Sequence, residues 1–338
     1  MSKKNHNGLL VAVVGIGLIS VISMLFMGCN GKGKGDGTIT LTYGELNPDK
    51  HPITRGAYEF ARLVKEKTDE RIQINIYPAG QLGSEREQTQ SVQAGGIDFF
   101  RSNALSLPEF GAEKMGLLAL PYIFADRDHM WRVLNGPIGK QILQDVSDYK
   151  MVGITYFDDG QRHIFADKQI DTIDDLKGLK LRVPQFNIMI DMVNALGASP
   201  TPIPYGELYS SLQSGIVDGA ENTVTGYKTN SFFEPCPYLT LTRHLSAPGV
   251  LVCSEKTWSK LSAADQEIIK QAAAEASDFV REQTKAYEEQ ALKTLREEHD
   301  VKVTEIEDIS PWIEAVAPLH EKYGEGHQDI IDAIKAEK

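Results

Sequence analysis

The chain has 338 residues, 41% of them hydrophobic and 24% charged, and its formal net charge is −12. A chain of this length and apolar content is large enough to form two packed lobes. The acidic balance argues against binding to nucleic acid or to an anionic membrane surface, although a local arginine site can still bind an anionic ligand. No His-Glu-x-x-His or Cys-x-x-Cys spacing occurs, so we predict neither a metal nor a cofactor.

The N-terminus has the pattern of an export signal. Two early lysines precede a nearly continuous apolar run over residues 9–27, which predicts a signal peptide over residues 1–28. Cys29 follows directly, and a Gly-Cys pair at this place is typical of lipoprotein processing, so we predict a lipid anchor on Cys29. An uncleaved membrane anchor is the alternative, because an apolar run of about 20 residues can span a bilayer. Either way, residues 29–37 form a flexible tether to a domain outside the cytoplasmic membrane.

The first strands and helices of the folded part are predicted directly after this tether. Residues 38–43 alternate between apolar and polar side chains and predict a strand. The loop that follows contains His51, which either borders a ligand or is an ordinary surface histidine. Alternating isoleucines over residues 72–76 predict the second strand, and Ser84 with Glu87 forms a capping box for the next helix.

Three polar residues in the following segment are candidates for ligand contact. Glu85 lies on the first turn of the capped helix, where it either faces the cleft or interacts with the helix dipole. A strand is predicted to end near Arg101 and Asn103, and open α/β sheets bind ligands in the crevice at the carboxyl ends of their strands. We therefore expect Arg101 and Asn103 in the crevice, with a surface arginine as the alternative.

A crossing into a second lobe is predicted after the apolar strand over residues 151–157. A new strand–helix–strand series begins there, and Arg162 opens its first strand. Later in the chain, residues 240–244 and 248–254 are predicted as strands that return to the first lobe, and residues 257–300 as one long helix. The two cysteines of the folded part are predicted to be free thiols, with a disulfide as the alternative.

The stretch between Lys180 and Asn222 carries the clearest functional signal. Apolar residues alternate with Lys180 and Arg182, and Pro184 ends the strand. Arg182 is therefore placed at a strand terminus, where its planar fork of donors suits a carboxylate. An ion pair with Glu221 or Asp218 is the structural alternative. The stretch continues as a helix, a proline-stiffened loop, a second helix and a strand that ends at Glu221 and Asn222.

Four linked motifs occur in this stretch: Arg-Val-Pro at 182–184, Leu-Gly-Ala-Ser-Pro at 196–200, Glu-Leu-Tyr at 207–209 and Gly-Ile-Val-Asp-Gly-Ala-Glu-Asn at 215–222. Their order and spacing resemble the solute-binding proteins of TRAP transporters, the DctP family. A Pro-x-Gly-Gln-Leu-Gly turn at 78–83 extends the resemblance toward the N-terminus. Thr223 departs from the family pattern, because many relatives have a proline there.

The resemblance implies an α/β, two-lobed fold like that of periplasmic binding proteins. It has a mixed sheet in each lobe, crossing strands and a long interlobe helix. We place lobe I at residues 38–159 and lobe II at 160–247. The return to lobe I with the long helix is placed at 248–287, and C-terminal helices packing on lobe II at 288–338.

The resemblance also implies a receptor rather than an enzyme, which captures an organic acid and delivers it to two integral-membrane permease subunits. Arg162 and Arg182 are expected to clamp a carboxylate and Asn222 to add a neutral hydrogen bond. The strand-end arginine at 101 resembles relatives that bind uronic acids, so a hexuronate such as glucuronate or galacturonate is the preferred ligand. The remaining expected ligand-binding residues are Arg101, Asn103, Gln185, His51, Glu85 and Glu221.

Other functions remain open at this point. C4-dicarboxylates and other hydroxy or 2-oxo acids are alternative ligands for the same receptor, and the receptor could feed a sensor instead of a transporter. A secreted glycoside hydrolase could use paired carboxylates among Glu207, Asp218 and Glu221. We disfavour the hydrolase because the sequence has no nucleophile elbow, metal motif or phosphate-binding glycine loop.

Overall fold

The computed structural model describes residues 38–246 and 248–337, in which strands and helices alternate. The elements of the first half are β1 (Ile39–Gly44), α1 (Pro52–Lys67), β2 (Ile72–Tyr77), α2 (Glu85–Ala94), β3 (Phe99–Asn103), α3 (Arg127–Asn135), α4 (Pro137–Asp145) and β4 (Met151–Phe157). The remaining elements are β5 (Arg162–Ala166), β6 (Lys180–Val183), α5 (Asn187–Ala195), β7 (Ser199–Pro202), α6 (Leu208–Gln213), β8 (Gly219–Thr223), α7 (Val224–Thr229), β9 (Tyr238–Leu245), β10 (Gly249–Ser254), α8 (Glu255–Trp258), α9 (Ala263–Glu298), β11 (Lys302–Glu305), α10 (Ser310–Gly324) and α11 (Gln328–Ala336).

Two mixed sheets divide these strands between them. The first sheet has the order β2-β1-β3-β10-β4 and the second the order β11-β9-β5-β8-β6-β7. In the first sheet β1 is parallel to β2 and β3, whereas β10 is antiparallel to β3 and β4. In the second sheet β6 is parallel to β7 and β8, and β5 is antiparallel to β8 and β9. The predicted mixed sheet in each lobe is confirmed.

Among the described elements the chain passes from one sheet to the other three times: from β4 to β5, from β9 to β10, and from β10 to β11 through α8 and α9. The 36-residue helix α9 also serves both sheets. Its residues Ala272, Ala276 and Val280 are buried in the core beside the first sheet, whereas Ala291 and Leu295 are buried beside the second. The predicted crossing strands and long interlobe helix are therefore confirmed.

Aromatic side chains form much of the core on each sheet. Phe60 and Phe99 meet nearly at right angles beside the first sheet, with ring centroids 5.4 Å apart. Phe165 stacks on Phe232 at 5.7 Å and contacts Tyr227 at 4.8 Å beside the second sheet. Burying one such side chain contributes roughly 1.5–3 kcal/mol, so these clusters hold the strands that carry the site in fixed positions.

The proline-rich segment predicted as a loop is an edge strand instead. Residues Ser199–Pro202 form β7, which pairs in parallel with β6 at the end of the second sheet. Ser199 N donates to Leu179 O at 2.8 Å and Ile203 N to Val183 O at 3.1 Å. The alternate positions, Pro200 and Pro202, need no donor because only one side of an edge strand is paired. A pattern of prolines alone did not reveal this pairing.

The C-terminal helices contact elements of both sheets. Helix α10 packs on α5, which follows β6, whereas α11 packs on α4, which precedes β4. His129 Nε2 lies 2.8 Å from Ile334 O, and His320 Nε2 lies 2.7 Å from Pro121 O. We predicted packing on lobe II only. The contacts are wider, because an amphipathic pattern shows that a helix face is buried but not which partner covers it.

The predictions for the signal peptide, Cys29 and the tether concern residues 1–37, which lie outside the described residues. Across residues 38–246 and 248–337, no helix is both long and apolar enough to cross a bilayer. Cys236 and Cys253 are buried and unpaired with each other, as predicted. The predicted capping box of Ser84 and Glu87 is also confirmed at the start of α2.

Helix α1 approaches α9 closely at Gly56, where an added Cβ would lie 2.1 Å from Val280 Cγ2. We expect Gly56→Ala to lower the free energy of unfolding by about 1–3 kcal/mol, measured by urea denaturation, because the methyl group overpacks this contact. Adding Val280→Ala should relieve the clash, so the double variant should lose less stability than the sum of the single variants. Gly206→Ala is the control, since nothing lies within 4 Å of its added Cβ. Equal losses in both glycine variants would contradict the expectation.

Candidate ligand-binding site

A cavity of about 660 Å³, including its opening to solvent, lies between the two sheets. The loops after β1 and β4 and the ends of β3, β6 and β8 contribute its walls, as expected for α/β sheets that bind ligands at strand ends. Eight of the nine predicted ligand-binding residues line it: Arg182, Arg162, Asn222, Arg101, Asn103, Gln185, His51 and Glu85. The ninth, Glu221, is absent from the lining.

Glu221 lies behind Arg162 and neutralises it. Arg162 Nη2 donates to Glu221 Oε1 at 2.8 Å, and Arg162 Nε donates to the other carboxylate oxygen. Burial alone would raise the pKa of Glu221, but Arg162 lowers it to about 2. His244 Nε2 lies 3.5 Å from the same carboxylate. Glu221 thus orients Arg162 through Nε and Nη2, and Nη1 is the guanidinium nitrogen without a hydrogen bond to another described residue.

Arg101 is likewise held by a buried carboxylate. Its Nη2 donates to Glu45 Oε1 at 2.6 Å and its Nε to Glu45 Oε2 at 3.2 Å. Glu45 is fully buried in the loop after β1. Arg101 Nη1 also lies 3.7 Å from Asp159 Oδ2. The positive charge of Arg101 is therefore compensated before any ligand is considered.

Arg182 is the exception among the three arginines of the cavity. It is only 2% exposed, its Nε donates to Ile203 O at 2.8 Å, and its guanidinium carbon lies 5.8 Å from the ring centre of Tyr205. Among the described residues, no carboxylate lies within ion-pair distance of it; Glu221 pairs with Arg162 and Asp218 accepts from the backbone of Lys180. Burial lowers the pKa of Arg182 to about 10, which still leaves it protonated at neutral pH.

Two carboxylates lie on the first-sheet side of the cavity, joined through Asn103. The Asn103 backbone N–H donates to Glu85 Oε1 at 3.1 Å, and its Nδ2 donates to Asp159 Oδ2 at 3.0 Å. Burial raises the pKa of Glu85, Arg101 opposes this, and Asp159 adds to it. A carboxylate has about four acceptor sites, so both groups keep capacity for hydroxyl donors.

The other predicted residues have more modest environments. His51 caps α1, with Nδ1 accepting from Ile53 N at 3.2 Å, and burial lowers its pKa to about 3, so it is a neutral imidazole. Asn222 Oδ1 accepts from Thr223 N at 2.7 Å. Gln185 is exposed at the rim of the cavity. In the parts of the chain that the structure describes, no His, Cys, Asp and Glu cluster is suited to a metal ion.

A set of hydrogen bonds joins the two sides beside the cavity opening; we call these the cross-cleft contacts. Arg86, on α2, donates from Nη2 to Gln185 O at 3.1 Å. Glu109 Oε1, from the 3₁₀ helix Leu107–Phe110, accepts from Asn187 Nδ2 at 2.9 Å and from Asn187 N at 3.3 Å. Arg86 and Glu109 also lie 3.7 Å apart. These contacts tie α2 and its neighbour to the end of β6.

Sequence reasoning did not identify Glu45, Asp159 and Tyr205 as part of the site. Asp159 lies two residues beyond the end of β4, so the strand-end argument used for Arg101 applies to it as well. Glu45 directly follows β1 and the same signal was available. Tyr205 comes after β7, which the proline pattern concealed. All three residues therefore lie just beyond strand ends, where the connecting loops face the cavity.

The Arg162–Glu221 pair generates a stability prediction. Glu221→Ala leaves a buried guanidinium without its carboxylate, so we expect the free energy of unfolding to fall by about 3–5 kcal/mol at neutral pH. Glu305→Ala is the matched control, because it removes the partner of Arg243 in an exposed ion pair and should cost about 0–1 kcal/mol. Urea denaturation of both variants without ligand measures the difference. A loss of similar size in both would show that the buried pair does not stabilise the fold as described.

Known proteins share this chain's sequence pattern and fold. The DctP profile, described as bacterial extracellular solute-binding protein, family 7, matches residues 43–326. A TRAP periplasmic solute-binding protein of Xanthobacter autotrophicus Py2, solved with bound β-D-galacturonate, is 32% identical with a TM-score of 0.86, covering 88% of this chain and 100% of that one. One of Pseudomonas putida F1, with bound D-glucuronate, is 30% identical with a TM-score of 0.85, covering 88% and 97%.

A third solved relative has a different ligand. The TRAP periplasmic solute-binding protein of Sulfurospirillum deleyianum, with bound succinate, is 27% identical with a TM-score of 0.84, covering 89% of this chain and 100% of that one. The matched segment contains every residue of the cavity and, except for the first four residues of β1, both sheets. The chain therefore belongs to the DctP family, the bacterial extracellular solute-binding proteins of family 7, and has the two-lobed fold of TRAP solute receptors.

Proposed function

We propose that this protein is the extracytoplasmic receptor of a TRAP-type transporter and that its ligand is a hexuronate such as galacturonate or glucuronate. The single observation that carries the ligand class is the buried guanidinium of Arg182, which lacks a carboxylate among the described residues while Arg101 and Arg162 have theirs. A hexuronate supplies one carboxylate and several hydroxyl groups. The relatives with bound galacturonate and glucuronate support the same class.

In this proposal the ligand carboxylate accepts hydrogen bonds from Arg182 and from Nη1 of Arg162, and Asn222 adds a neutral contact. Charge-assisted hydrogen bonds contribute roughly 1.5–3 kcal/mol each, so a few of them account for most of the −8 kcal/mol or so of a micromolar complex. Glu221 supports Arg162 instead of touching the ligand. The polar groups of Asn103 and Arg101 face the ligand's hydroxyl groups, and His51 and Gln185 complete the wall and the rim.

A C4-dicarboxylate is the second candidate, because the Sulfurospirillum deleyianum relative contains succinate. Two carboxylates need two uncompensated cations, and Arg101 is already paired with the fully buried Glu45. We therefore place dicarboxylates behind hexuronates. A sensor partner in place of a permease leaves the ligand site unchanged, and co-purification with the two membrane subunits tells these partners apart.

The N-terminal proposal concerns residues outside those described. We infer that residues 1–28 are removed as a signal peptide and that a lipid on Cys29 holds the receptor at the membrane through the tether 29–37. Lobe I is proposed at residues 38–159 with the return segment 248–287, and lobe II at 160–247. The mass of the exported protein distinguishes a lipidated Cys29 from an uncleaved anchor.

Arg182→Ala should abolish tight ligand binding. A ligand at 100 times its Kd adds about 2.7 kcal/mol to the free energy of unfolding, which gives a thermal shift of several degrees for residues 38–338. Removing one partner of a buried charge pair costs about 2–5 kcal/mol, so the variant should bind galacturonate at least about 30-fold more weakly. Arg182→Lys should also fail, because an ammonium group does not form the planar fork.

The control for this experiment is Arg62→Ala, which removes an exposed arginine on α1. It should bind galacturonate like the wild type. A thermal shift that persists unchanged in Arg182→Ala would show that Arg182 is structural and would overturn the proposed carboxylate contact. A wild-type protein that responds to succinate but to no hexuronate would favour the second candidate instead.

We expect the cross-cleft contacts to set how long the ligand stays bound, because moving the two sides of the cavity apart requires breaking them. Arg86→Ala removes the bond to Gln185 O and the ion pair with Glu109. These are partly exposed contacts worth about 1 kcal/mol, so we expect release to accelerate about 3–10-fold with little change in the association rate. Stopped-flow tryptophan fluorescence with galacturonate measures both rates.

Lys114→Ala is the matched control for the release experiment. Its ion pair with Asp145 has an N–O distance of 2.6 Å and joins two elements that both lie between β3 and β4. Release from this variant should match the wild type. If Lys114→Ala accelerated release as much as Arg86→Ala, the cross-cleft contacts would have no special part in retention.

A further inference from the structure

Charge is unevenly distributed around the cavity. On the second-sheet side, Arg162 and Glu221 cancel each other and Arg182 remains, so the net charge there is positive. On the first-sheet side, Arg101 faces Glu45 at 2.6 Å and Asp159 at 3.7 Å. The cavity as a whole has three arginines and four carboxylates close to it: Arg101, Arg162, Arg182, Glu45, Glu85, Asp159 and Glu221.

Asn103 brings the third carboxylate of the first-sheet side into the same group. It donates from its backbone to Glu85 Oε1 at 3.1 Å and from its side chain to Asp159 Oδ2 at 3.0 Å. Both carboxylates line the cavity, whereas Glu45 lies behind Arg101. On the first-sheet side one guanidinium, that of Arg101, therefore lies near three carboxylates. Two of these carboxylates, Glu85 and Asp159, line the cavity.

We propose that Glu85 and Asp159 are specificity residues, which accept hydrogen bonds from the hydroxyl end of a sugar acid and exclude ligands with a carboxylate at that end. This inference rests on the proposed hexuronate function and names the subclass of sugar acids that fits, those with a single carboxylate. A hydroxyl group donates to a carboxylate, whereas a ligand carboxylate only accepts. A diacid therefore meets two like charges and leaves their acceptor sites without donors.

The carboxylates on the first-sheet side of the cavity already disfavour an additional negative charge there. Burial raises the pKa of Glu85, and the nearby Asp159 adds to this although Arg101 opposes it. Rejecting one ligand by placing like charges against it is a common source of specificity, because the favoured ligand loses nothing by it. The selected class is the monocarboxylic sugar acid, oriented with its carboxylate toward Arg182 and its hydroxyl groups toward Asp159.

The test compares galacturonate with galactarate, the diacid obtained by oxidising the other end of the same sugar. Isothermal titration calorimetry gives the Kd ratio for the wild type, Glu85→Gln, Asp159→Asn and the double variant. We expect the wild type to prefer galacturonate by about 100-fold or more, since like-charge juxtaposition at a binding site is strongly unfavourable. Each single variant should lower the ratio of the galactarate Kd to the galacturonate Kd by about tenfold, mainly because galactarate binds more tightly.

Comparing the ratio between variants cancels the difference in ring form between the two ligands. Glu66→Gln is the control: it removes the same charge from an exposed position on α1 and should leave the ratio unchanged. Circular dichroism and unliganded melting temperatures establish that the variants fold. Because Glu85 is only half-buried, Glu85→Gln carries the test by itself if Asp159→Asn does not fold.

Two results overturn the inference, and they are distinguishable. If the wild type binds galacturonate but both variants keep its Kd ratio to within twofold, Glu85 and Asp159 do not determine specificity and the hexuronate function stands. If the wild type binds neither sugar acid, the proposed function fails and this inference fails with it. A ratio that narrows in the site variants and not in Glu66→Gln supports the assignment.

Discussion

Burying three guanidinium groups around one cavity is possible here because two of them have their own carboxylates. Removing an ion from water costs several kcal/mol unless a partner and hydrogen bonds compensate it. Glu45 and Glu221 provide that compensation for Arg101 and Arg162 from beneath the cavity wall. Arg182 donates to a backbone carbonyl and lies beside the ring of Tyr205, and it has no ion pair with a carboxylate in the part of the chain that the structure describes. Arg182 is therefore the guanidinium of the cavity wall without a carboxylate partner among the described residues, which is the basis of the proposed carboxylate contact.

The segment that crosses from β4 to β5 contributes a residue to the cavity wall that contains Arg182. Asp158 and Asp159 are adjacent, yet their side chains have different surroundings. Asp158 accepts from Trp131 Nε1 at 2.9 Å and lies 3.2 Å from Arg127 Nε, behind the crossing. Asp159 faces the cavity. Gly160 follows with φ of +83°, a conformation that favours glycine, and an added Cβ there would lie 2.1 Å from a carboxylate oxygen of Glu288 and displace it.

Local patterns were sufficient to predict most of the strands, although not β7, and to place Arg182 at a strand end. Alternation over residues 179–183 with a following proline predicted a strand end, and β6 indeed ends at Val183. The partner of Arg162 could not be predicted in this way. It depends on the antiparallel register of β5 and β8, in which Ile164 lies opposite Glu221. Register between strands more than 50 residues apart is a property of the folded chain, which no window of sequence contains.

The proline-rich segment shows a different limit. Prolines predict a break in a strand. In β7, however, they occupy positions whose N–H would face the unpaired edge of the sheet, where its absence removes no hydrogen bond within the fold. Glu45 and Asp159 were not predicted as site residues for another reason: loop residues follow no hydrophobic period. Only the strand-end rule reaches them, and it predicted Arg101, Asn103 and Arg182 as site residues but not Glu45 and Asp159.

The prolines of β7 also affect how this receptor behaves among other copies of itself. An edge strand offers a row of backbone donors and acceptors that another chain can extend into a shared sheet. Pro200 and Pro202 occupy the alternate positions whose N–H groups would point outward, so the outer side of β7 lacks donors at both places. Strand addition at this edge is therefore disfavoured, which protects the protein from aggregation through its second sheet.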